Sequence, residues 1–345
     1  MIPGLAPEGF SPEVSVVIVN LNGRRWLGPC LAAVAAQKGP TVEVIVVDNA
    51  SVDGSAAFIG RQFPWVRVVA LERNLGFAGG NNAGARIASG RFLAFLNNDT
   101  VADPDWLRSL HGALEANPQA GLATSRIVYA RDPGVLDSAG DGYTRAGGAF
   151  KRGHGEPEIN YHDAGEVFGA CGAAFMIRKE LFEELGGFDE DFFLVYEDVD
   201  LSYRAQLLDH RCVYVPEALV IHSGSATLGT ASALAVFHGQ RNLEWVYVKN
   251  TPWQLLLRTF PGHVVYVAAA ALHFGRSGHF IPYLRAKWAA LRGLPGVLVK
   301  RRVAQRSRRA RLGVLWGLME RRWLSLKWRE KRFDRRAAGS RGGGP

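Results

Sequence analysis

Cysteine is scarce in this sequence, with three residues among 345. Cys30, Cys171 and Cys212 lie far apart among mainly apolar neighbours, and no C-x-x-C pair occurs. A disulfide framework or a zinc site needs cysteines in pairs or in closely spaced sets. We therefore expect three reduced, buried thiols in a protein of a reducing, cytosolic compartment.

Targeting and membrane-spanning segments are also lacking. Residues 1–13 (MIPGLAPEGFSPE) contain neither a basic n-region nor an apolar h-region, so we expect no signal peptide. The longest weakly polar run near the C-terminus, residues 264–274, has 11 residues. A helix that spans a bilayer needs about 20. These absences favour a protein that stays inside the cell.

Acidic residues almost vanish from the last fifth of the chain. Residues 1–275 carry 21 Lys and Arg against 29 Asp and Glu, whereas residues 276–345 carry 20 against three. The net charge of +9 therefore averages an acidic body and a strongly basic tail. Only the tail suggests an anionic partner. The length suits a catalytic domain with an appendage.

The body alternates β-branched runs with helical patterns. The four strand candidates are residues 14–19, 43–47, 66–71 and 92–96. A helix of small residues is expected over residues 78–89, and another begins with Asp103 as N-cap and Pro104 in its first position. The alternation predicts an α/β doubly wound fold, in which ligands bind at the carboxyl ends of the strands.

Residues 131–165 break this alternation. They are Gly-rich and irregular, and they predict a long surface excursion rather than a second core. Regular patterning returns at about residue 167 and continues to about residue 220.

Polar side chains follow each strand candidate. They are Asn20 and Asn22, then residues 48–51, 73–74 and 97–100. At one strand end such residues are the usual caps and turn formers, but four ends on one edge of a sheet indicate a binding site. The Gly-rich residues 74–84 open a helix whose backbone N–H groups we expect to approach a phosphorylated ligand. They match neither G-x-G-x-x-G nor the P-loop, which disfavours dinucleotides and ATP.

Residues 189–200, DEDFFLVYEDVD, combine six carboxylates with large apolar side chains. One interpretation is an acidic loop or helix start, which the helix macrodipole favours. The other is that the apolar residues hold Glu197 and Asp198 at the rim of a pocket, where a carboxylate acts as a general base. The segment alone leaves both open.

In order along the chain, five segments and two later positions resemble the family 2 glycosyltransferases of the GT-A fold, particularly the bacterial rhamnosyltransferase-like branch. They cover about residues 14–250. The segments are residues 14–23 (VSVVIVNLNG), 44–55 (VIVVDNASVDGS), 73–84 (RNLGFAGGNNAG), 95–99 (FLNND) and 169–204 (GACGAAFMIRKELFEELGGFDEDFFLVYEDVDLSYR), with the later His222 and Arg241-Asn242. The resemblance implies a GT-A type, Rossmann-like and mostly parallel sheet flanked by helices.

The resemblance also implies residues that bind a nucleotide-sugar donor. Asp48 matches the carboxylate that accepts the imide N–H of uracil or thymine, which favours a UDP- or dTDP-sugar, with dTDP-rhamnose as the leading donor. The other matching positions are Asn20, Arg73, Asn74, Gly76, Asn82, Asn98, Gly172, Ala173 and Arg241. Tight packing would equally explain the small residues Gly172 and Ala173, and a surface salt bridge would explain Arg241.

The same resemblance implies a divalent metal. Residues 97–99 (NND) stand where the family carries its D-x-D motif, so the first Asp is replaced by Asn97 and Asp99 is left as the metal ligand. His222 matches the second ligand. Mg²⁺ or Mn²⁺ that bridged Asp99, His222 and the two phosphates would neutralise charge on the leaving group.

In the family, the Asp of the E-D pair removes the proton from the acceptor hydroxyl. Asp198 is therefore the expected catalytic base, and Glu197 shares that role or orients the acceptor. The attack comes from the face opposite the nucleotide and inverts the anomeric carbon.

The basic tail, residues 251–334, is expected to form amphipathic helices on an anionic membrane surface. Its interfacial side chains would be Trp316, Leu318, Trp323, Leu326 and Trp328. A solvated basic face or a nucleic-acid-binding arm is the alternative, but no nucleic-acid-binding module is recognised and we expect no such partner. Residues 335–345 are expected to be disordered.

These features together predict an inverting, metal-dependent glycosyltransferase with its catalytic domain in residues 1–250. It would move rhamnose or a related hexose to a saccharide or lipid-linked acceptor in cell-surface polysaccharide synthesis, from the cytoplasmic face of the cell membrane, as a peripheral protein. A sugar-phosphate nucleotidyltransferase is one alternative, although the expected Gly-rich loop with Arg and Lys is missing after the first strand. A non-catalytic membrane adaptor that retains the fold is another.

Overall fold

The computed structural model describes residues 11–224 and 232–339. In this part of the chain the strands are β1 Val14–Asn20, β2 Val42–Asp48, β3 Arg67–Ala70, β4 Phe92–Leu96, β5 Thr100–Ala102, β6 Ala120–Tyr129, β7 Asp132–Ser138, β8 Asp141–Tyr143, β9 Ala149–Lys151, β10 Gly165–Val167, β11 Ala174–Arg178 and β12 Arg211–His222. The α-helices are α1 Arg24–Ala35, α2 Ser55–Gln62, α3 Gly76–Ile87, α4 Trp106–Ala116, α5 Lys179–Glu184, α6 Glu197–Leu207, α7 Ala233–Asn250, α8 Trp253–Arg276, α9 Phe280–Arg306, α10 Leu312–Leu318 and α11 Trp323–Gly339.

One mixed sheet organises the body, with strand order β10-β12-β6-β11-β4-β1-β2-β3. The strands β4, β1, β2 and β3 are parallel neighbours, and they confirm the four strand candidates. β11 is inserted antiparallel between β4 and β6. One hydrophobic core lies on each face of the sheet. The α/β prediction is therefore confirmed, and the carboxyl ends of β1, β2 and β4 share one edge.

Helix α4 begins later than the sequence predicted. Its N-cap is Asp105, whereas Asp103 accepts a hydrogen bond from the backbone N–H of Asp105 at 2.9 Å through its side chain. Asp103 therefore forms a turn that precedes the helix, and Pro104 lies in that turn. The predicted cap at Asp103 is wrong by two residues.

Residues 131–165 do not form the surface excursion that their composition suggested. They contain β7, the hairpin of β8 and β9, and the start of β10. Asp137, Ser138 and Tyr143 are all buried in this region. β7 pairs with β6, so the region is part of the main sheet. The prediction failed because short strands with glycines carry almost no periodic signal.

The C-terminal helices pack on the body and share a core with it. Tyr143 and Tyr203 of the body lie in one hydrophobic cluster with Trp245 of α7, Val297 of α9 and Leu315 of α10. The tail is helical as predicted. The predicted domain boundary near residue 250 stays a prediction. Helix α9, which follows that boundary, packs along α7, which precedes it. α11 continues to Gly339, past the predicted end of the extension at 334, and residues 340–345 lie outside the described part.

The apolar side chains of the tail point in two directions. Trp316, Leu318 and Trp323 are partly buried against the protein core, whereas Trp328 of α11 is 64% exposed. Exposed large apolar side chains instead line α8 and α9: Trp253, Leu257, Phe260, Val264, Val265, Leu272, Ile281, Leu284, Trp288, Leu291, Val299 and Val303. Among the helices of the described residues, α8 alone has the length and apolar composition that a membrane crossing would require. Helix α8 has 24 residues and contains the 11-residue run 264–274.

Candidate active site

The donor edge consists of three polar side chains, Asn20, Asp48 and Asn98, at the ends of β1, β2 and β4. Asn20 and Asp48 are register partners in the parallel pairing of β1 with β2. Asn20 Nδ2 donates to Asp48 Oδ1 at 3.3 Å, and Asn98 Nδ2 donates to Asn20 Oδ1 at 2.7 Å. All three side chains are buried. The structure therefore brings these predicted donor residues together and fixes them in place.

A second set of predicted donor residues lies on the loop between β3 and α3. Asn74 Oδ1 accepts from Asn49 Nδ2 at 2.9 Å and from the backbone N–H of Gly76 at 2.8 Å. Asn49 Oδ1 in turn accepts from the N–H of Leu75 at 2.8 Å. Arg73 is exposed at the start of this loop. Asn49 thus ties the end of β2 to the loop, a role that its place among the strand-end polar residues 48–51 did not predict.

The N-terminus of α3 does not offer its amides to a ligand. The N–H groups of Phe77 and Ala78 donate to the carbonyl of Phe193, at 2.7 and 3.3 Å. Gly76, with φ of 72°, is so close to this carbonyl that a Cβ would lie 2.3 Å from its oxygen. The prediction that these amides approach a phosphate is wrong for Phe77 and Ala78. The glycine at position 76 is needed for contact with the chain that precedes Glu197.

The two predicted metal ligands, Asp99 and His222, are adjacent. His222 ends β12 and pairs in register with Thr100 of β5, which places its ring beside Asp99. His222 Nε2 lies 3.3 Å from Asp99 Oδ1, and both side chains are buried. The antiparallel pairing of two strands far apart in sequence therefore creates this pair.

Asp137 of β7 holds the imidazole of His222. Its Oδ2 lies 2.8 Å from His222 Nδ1, and its Oδ1 accepts from Lys151 Nζ at 2.8 Å. Burial would lower the pKa of His222, but hydrogen bonds to Asp137 and Asp99 raise it to about 9. With Nδ1 bonded to Asp137, the ring is oriented so that Nε2 faces Asp99.

These residues fit a metal that is shared with a diphosphate. In the described ranges, no group of three His, Cys, Asp or Glu side chains is arranged to hold a metal ion by itself. Asp99 and His222 thus supply two ligands, one oxygen and one imidazole, and phosphate oxygens would supply others. This combination suits Mg²⁺ or Mn²⁺. The bond from Asp137 to Nδ1 is the outer support that metal-binding histidines usually have.

Asp198 lies in the first turn of α6 and is partly exposed. Its Oδ2 accepts from the N–H of Gly172, and its Oδ1 accepts from the N–H of Val199, each at 2.8 Å. A Cβ at position 172 would lie 2.8 Å from Oδ2, so the close approach requires glycine. Desolvation raises the pKa of Asp198, and the two backbone hydrogen bonds limit the rise. Gly172 therefore orients the expected base.

Glu197 differs from its neighbour Asp198 in its surroundings. It is 5% exposed, and its Oε2 has no hydrogen-bond partner. Burial, followed by the charge of Asp198, raises the pKa of Glu197 well above its ordinary value. Burial also raises the pKa of Asp198, so the two adjacent carboxyl groups resist a second negative charge. Asp198 is partly exposed and held by two backbone N–H groups, and its role as the base stays a prediction.

The base segment, residues 192–198, has an unusual backbone. Phe193, Val195 and Tyr196 have φ values of 63°, 64° and 78°. Large side chains in this region cost on the order of 1–2 kcal/mol each, so tertiary contacts must hold the segment. It leads directly into Glu197 and Asp198.

Asn242 of α7 is the main contact that holds the base segment. Its Nδ2 lies 2.9 Å from the carbonyl oxygens of Phe192 and Leu194 and 2.7 Å from that of Val195. The side chain is fully buried. Sequence reasoning recorded the Arg-Asn pair but gave Asn242 no role. A buried Asn on a helix, where an apolar residue would otherwise pack, was the available signal.

Arg241 and Asn82 are occupied by protein groups. Arg241 Nη2 donates to the carbonyls of Asp191 and Phe192, at 2.8 and 3.1 Å. Asn82 forms two hydrogen bonds of 2.9 Å with the backbone of Phe188. Their role in donor binding stays a prediction, and the structure gives both a part in shaping residues 188–192. Ala173 is buried, and its carbonyl accepts from the N–H of Asn97 at 2.9 Å.

Comparisons with known proteins agree with this geometry. Residues 15–186 match the family model described as glycosyl transferase family 2. The O-antigen biosynthesis protein RfbC of Myxococcus xanthus is 31% identical over 238 residues, which are 64% of this chain and 18% of that protein. The N-acetylglucosaminyl-diphospho-decaprenol L-rhamnosyltransferase of Mycobacterium tuberculosis (strain CDC 1551 / Oshkosh) is 27% identical over 253 residues, 65% of this chain and 80% of that protein.

A solved structure supports the fold. The mannosyltransferase PcManGT from Pyrobaculum calidifontis, in complex with GDP-Man and Mn²⁺, superposes with a TM-score of 0.51 at 19% identity. The match covers 87% of this chain and 89% of that one. The chain belongs to glycosyl transferase family 2, and it is a glycosyltransferase with the GT-A fold.

Proposed function

We propose that this protein is an inverting, metal-dependent glycosyltransferase of cell-surface polysaccharide synthesis. It moves a hexose, with rhamnose as the leading candidate, from a dTDP- or UDP-sugar to a saccharide or lipid-linked acceptor. The observation that carries the proposal is the Asp99 and His222 pair, supported by Asp137 and placed beside the donor edge. Such a pair suits a reaction whose leaving group is a diphosphate.

The donor edge supports a pyrimidine nucleotide. The Asp48 carboxylate is fixed at the end of β2 by Asn20, and it can accept the imide N–H of uracil or thymine. The names of two relatives agree with the proposed pathway, since one is an O-antigen biosynthesis protein and the other an L-rhamnosyltransferase. The mannosyltransferase structure contains Mn²⁺ and a nucleotide sugar. Membership of a glycosyltransferase family disfavours both alternatives, the sugar-phosphate nucleotidyltransferase and the non-catalytic membrane adaptor.

In the proposed mechanism, Asp198 takes the proton from the acceptor hydroxyl. The oxygen forms a bond to the anomeric carbon while the bond from that carbon to the diphosphate oxygen breaks on the opposite face. A metal held by Asp99 and His222 would stabilise the charge on the diphosphate. Gly172 keeps the carboxylate of Asp198 oriented throughout. Glu197 lies beside it and orients the acceptor.

We also propose that the protein acts at the cytoplasmic face of the membrane. The exposed apolar side chains of α8 and α9 support this location, since they would otherwise lie in water. Exposed arginines flank them: Arg258, Arg276, Arg285, Arg292, Arg302 and Arg306. Apolar side chains flanked by arginine are typical of helices in an anionic membrane interface.

Thermal-shift measurements with nucleotide sugars test the donor and the metal. We expect stabilisation by dTDP- or UDP-sugars that is larger with Mn²⁺ than with EDTA, and weak stabilisation by ADP-sugars. No shift with any uridine or thymidine diphosphate sugar would count against the proposed function. Sedimentation with anionic vesicles tests the location, and binding to RNA at moderate salt without binding to lipid would contradict it.

A further inference from the structure

Two arginines stack on the ring of Trp316, and a third lies near one of them. The guanidinium of Arg145 lies 3.8 Å from the centre of the Trp316 ring, and that of Arg258 lies 4.0 Å from it. Arg321 follows α10 and interacts electrostatically with Arg145. Arg145, Arg258 and Arg321 are called the arginine cluster below. They come from the body, from α8 and from the segment after α10, so only the folded chain unites them.

The arginine cluster keeps an excess of positive charge, because the Glu320 that acts on Arg145 also pairs with Arg322. The buried Nε of Arg145 has no hydrogen-bond partner. The nearby Glu320 directs its Oε1 to Arg322 and to the backbone N–H groups of Arg321 and Arg322. Burial and then the charges of Arg321 and Arg258 lower the pKa of Arg145. Arginine side chains that are held close together repel one another, and a bound anion would relieve this repulsion.

Two members of the cluster, Arg145 and Arg321, line a cleft of about 410 Å³. The other charged side chains of its lining are Arg152, Asp141, Glu166 and Glu320. Burial and then the charge of Asp198 raise the pKa of Asp141 well above its ordinary value. The backbone of Asp141 exchanges hydrogen bonds of 2.8 and 3.0 Å with Gly169, three residues before the Gly172 whose N–H holds Asp198. An extended molecule with its anionic end on the arginines could place a hydroxyl near Asp198.

The position of Arg258 indicates a lipid. It lies on the exposed face of α8, next to the exposed side chains of Leu257 and Phe260. A guanidinium donates two parallel hydrogen bonds to a phosphate. An anion bound to Arg258 would lie beside this apolar surface. The chain of a lipid could pack on that surface, whereas a free sugar phosphate has no apolar group to do so.

We propose that the arginine cluster binds the diphosphate group of a lipid-linked saccharide acceptor. The lipid chain lies along the exposed apolar face of α8, and the saccharide extends through the cleft toward Asp141 and Asp198. This inference rests on the proposed function and adds to it the acceptor class and the acceptor-binding residues.

The test compares two double variants with the same loss of charge. Arg258→Gln with Arg321→Gln removes two exposed members of the cluster. Arg285→Gln with Arg292→Gln removes two exposed arginines of α9 outside the cluster. Binding of the full chain is measured on vesicles of phosphatidylcholine alone, with phosphatidylglycerol, or with a polyprenyl diphosphate at equal surface charge. Inorganic pyrophosphate serves as a soluble competitor.

On polyprenyl diphosphate vesicles, we expect the cluster variant to bind at least tenfold more weakly than the control variant. On phosphatidylglycerol vesicles, both variants should lose affinity equally, since each basic residue near an anionic surface contributes similarly. Equal loss on every vesicle would overturn the proposal, and a selective loss on phosphatidylglycerol would assign the cluster to ordinary headgroups instead. Donor-induced thermal shifts of the same variants report separately on the proposed function.

Discussion

The donor edge and the base segment achieve order in opposite ways. Asn20, Asp48 and Asn98 lie at the ends of neighbouring strands and bond to one another. The base segment bonds instead to distant elements, to Asn242 on α7 and to the N-terminus of α3. Its backbone is strained at three large residues. The donor edge is therefore a product of sheet register, whereas the base segment depends on tertiary contacts.

This difference predicts that substitutions in the two regions affect different steps of the reaction. A sheet edge places side chains accurately with little strain, which suits recognition of a fixed ligand such as a nucleotide. A strained segment persists only while the surrounding structure holds it. We therefore expect substitutions at the donor edge to alter donor affinity, and substitutions around the base segment to alter turnover.

Asp198→Asn should produce the largest effect. The substitution keeps the size of the side chain and removes its basicity, so we expect kcat to fall about 1000-fold, within the range for loss of a general base. The affinity for UDP or dTDP should stay unchanged in calorimetric titration, because Asp198 lies outside the donor edge. Turnover near that of the wild type with intact donor binding would show that another group is the base.

Asp189→Asn should act on stability instead. Asp189 Oδ2 accepts from Lys249 Nζ at 2.6 Å, and Lys300 of α9 also donates to this carboxylate. Loss of one partner of a buried ion pair costs about 3 kcal/mol. We expect that loss in the free energy of unfolding measured with urea, while kcat per folded molecule changes little. A large fall in kcat without loss of stability would place Asp189 in the catalytic machinery.

The pH dependence provides a second measurement on Asp189. Burial would raise the pKa of Asp189, but the charges and hydrogen bonds of Lys249 and Lys300 lower it to about 2. Because its pKa is lowered in the folded state, ionised Asp189 stabilises the protein at pH values above its ordinary pKa of 3.8. This contribution disappears as the pH falls toward 2. In Asp189→Asn, this part of the acid dependence should be absent.

The sequence predicted the donor edge well and the base segment poorly. The runs of β-branched residues predicted β1, β2 and β4, and the polar residues after them gave Asn20, Asp48 and Asn98. The pattern of apolar and polar residues along each strand is enough to predict where the strand ends and which side chains follow it. The strain at Val195 and its support by Asn242 leave no local pattern, since the two residues are 47 positions apart.

The same limit explains other missed features. Asp137 lies in a Gly-rich stretch without periodicity, so nothing in the sequence connected it with His222, 85 residues later. The tail was recognised as basic and helical, but the sequence did not show that Trp316 and Trp323 pack partly against the protein core. Amphipathicity shows that a helix has an apolar face, and tertiary contacts decide what covers that face.

Asp137→Asn should weaken the metal site. An amide accepts a weaker hydrogen bond from His222 Nδ1 than a carboxylate does, and loss of such outer support costs about 10–100-fold in metal affinity. Mn²⁺ binding in the presence of the nucleotide, measured from the electron paramagnetic resonance signal of free Mn²⁺, should show this loss. Asp132→Asn is the control, since Asp132 begins the same strand and is exposed. Equal Mn²⁺ affinity in both variants would contradict the role of Asp137.

The smallest and most direct test sets Asn20→Ala against Asn242→Ala. Loss of a buried hydrogen-bonding amide costs on the order of 1–3 kcal/mol. In Asn20→Ala, we expect about a tenfold weaker affinity for the donor nucleotide. In Asn242→Ala, the loss should appear as about a tenfold lower kcat at unchanged donor affinity, because the relaxed base segment no longer aims Asp198.

Asn250→Ala is the matched control for this pair. Asn250 is equally buried on α7, but its Nδ2 donates to Asp200 at 2.8 Å and does not touch the strained backbone. A similar thermal destabilisation in Asn250→Ala, without the loss of kcat, would separate the positioning of Asp198 from general loss of stability. If Asn242→Ala instead lost donor affinity to the same degree as Asn20→Ala, the donor edge and the base segment would be one coupled unit, and the contrast between them would fail.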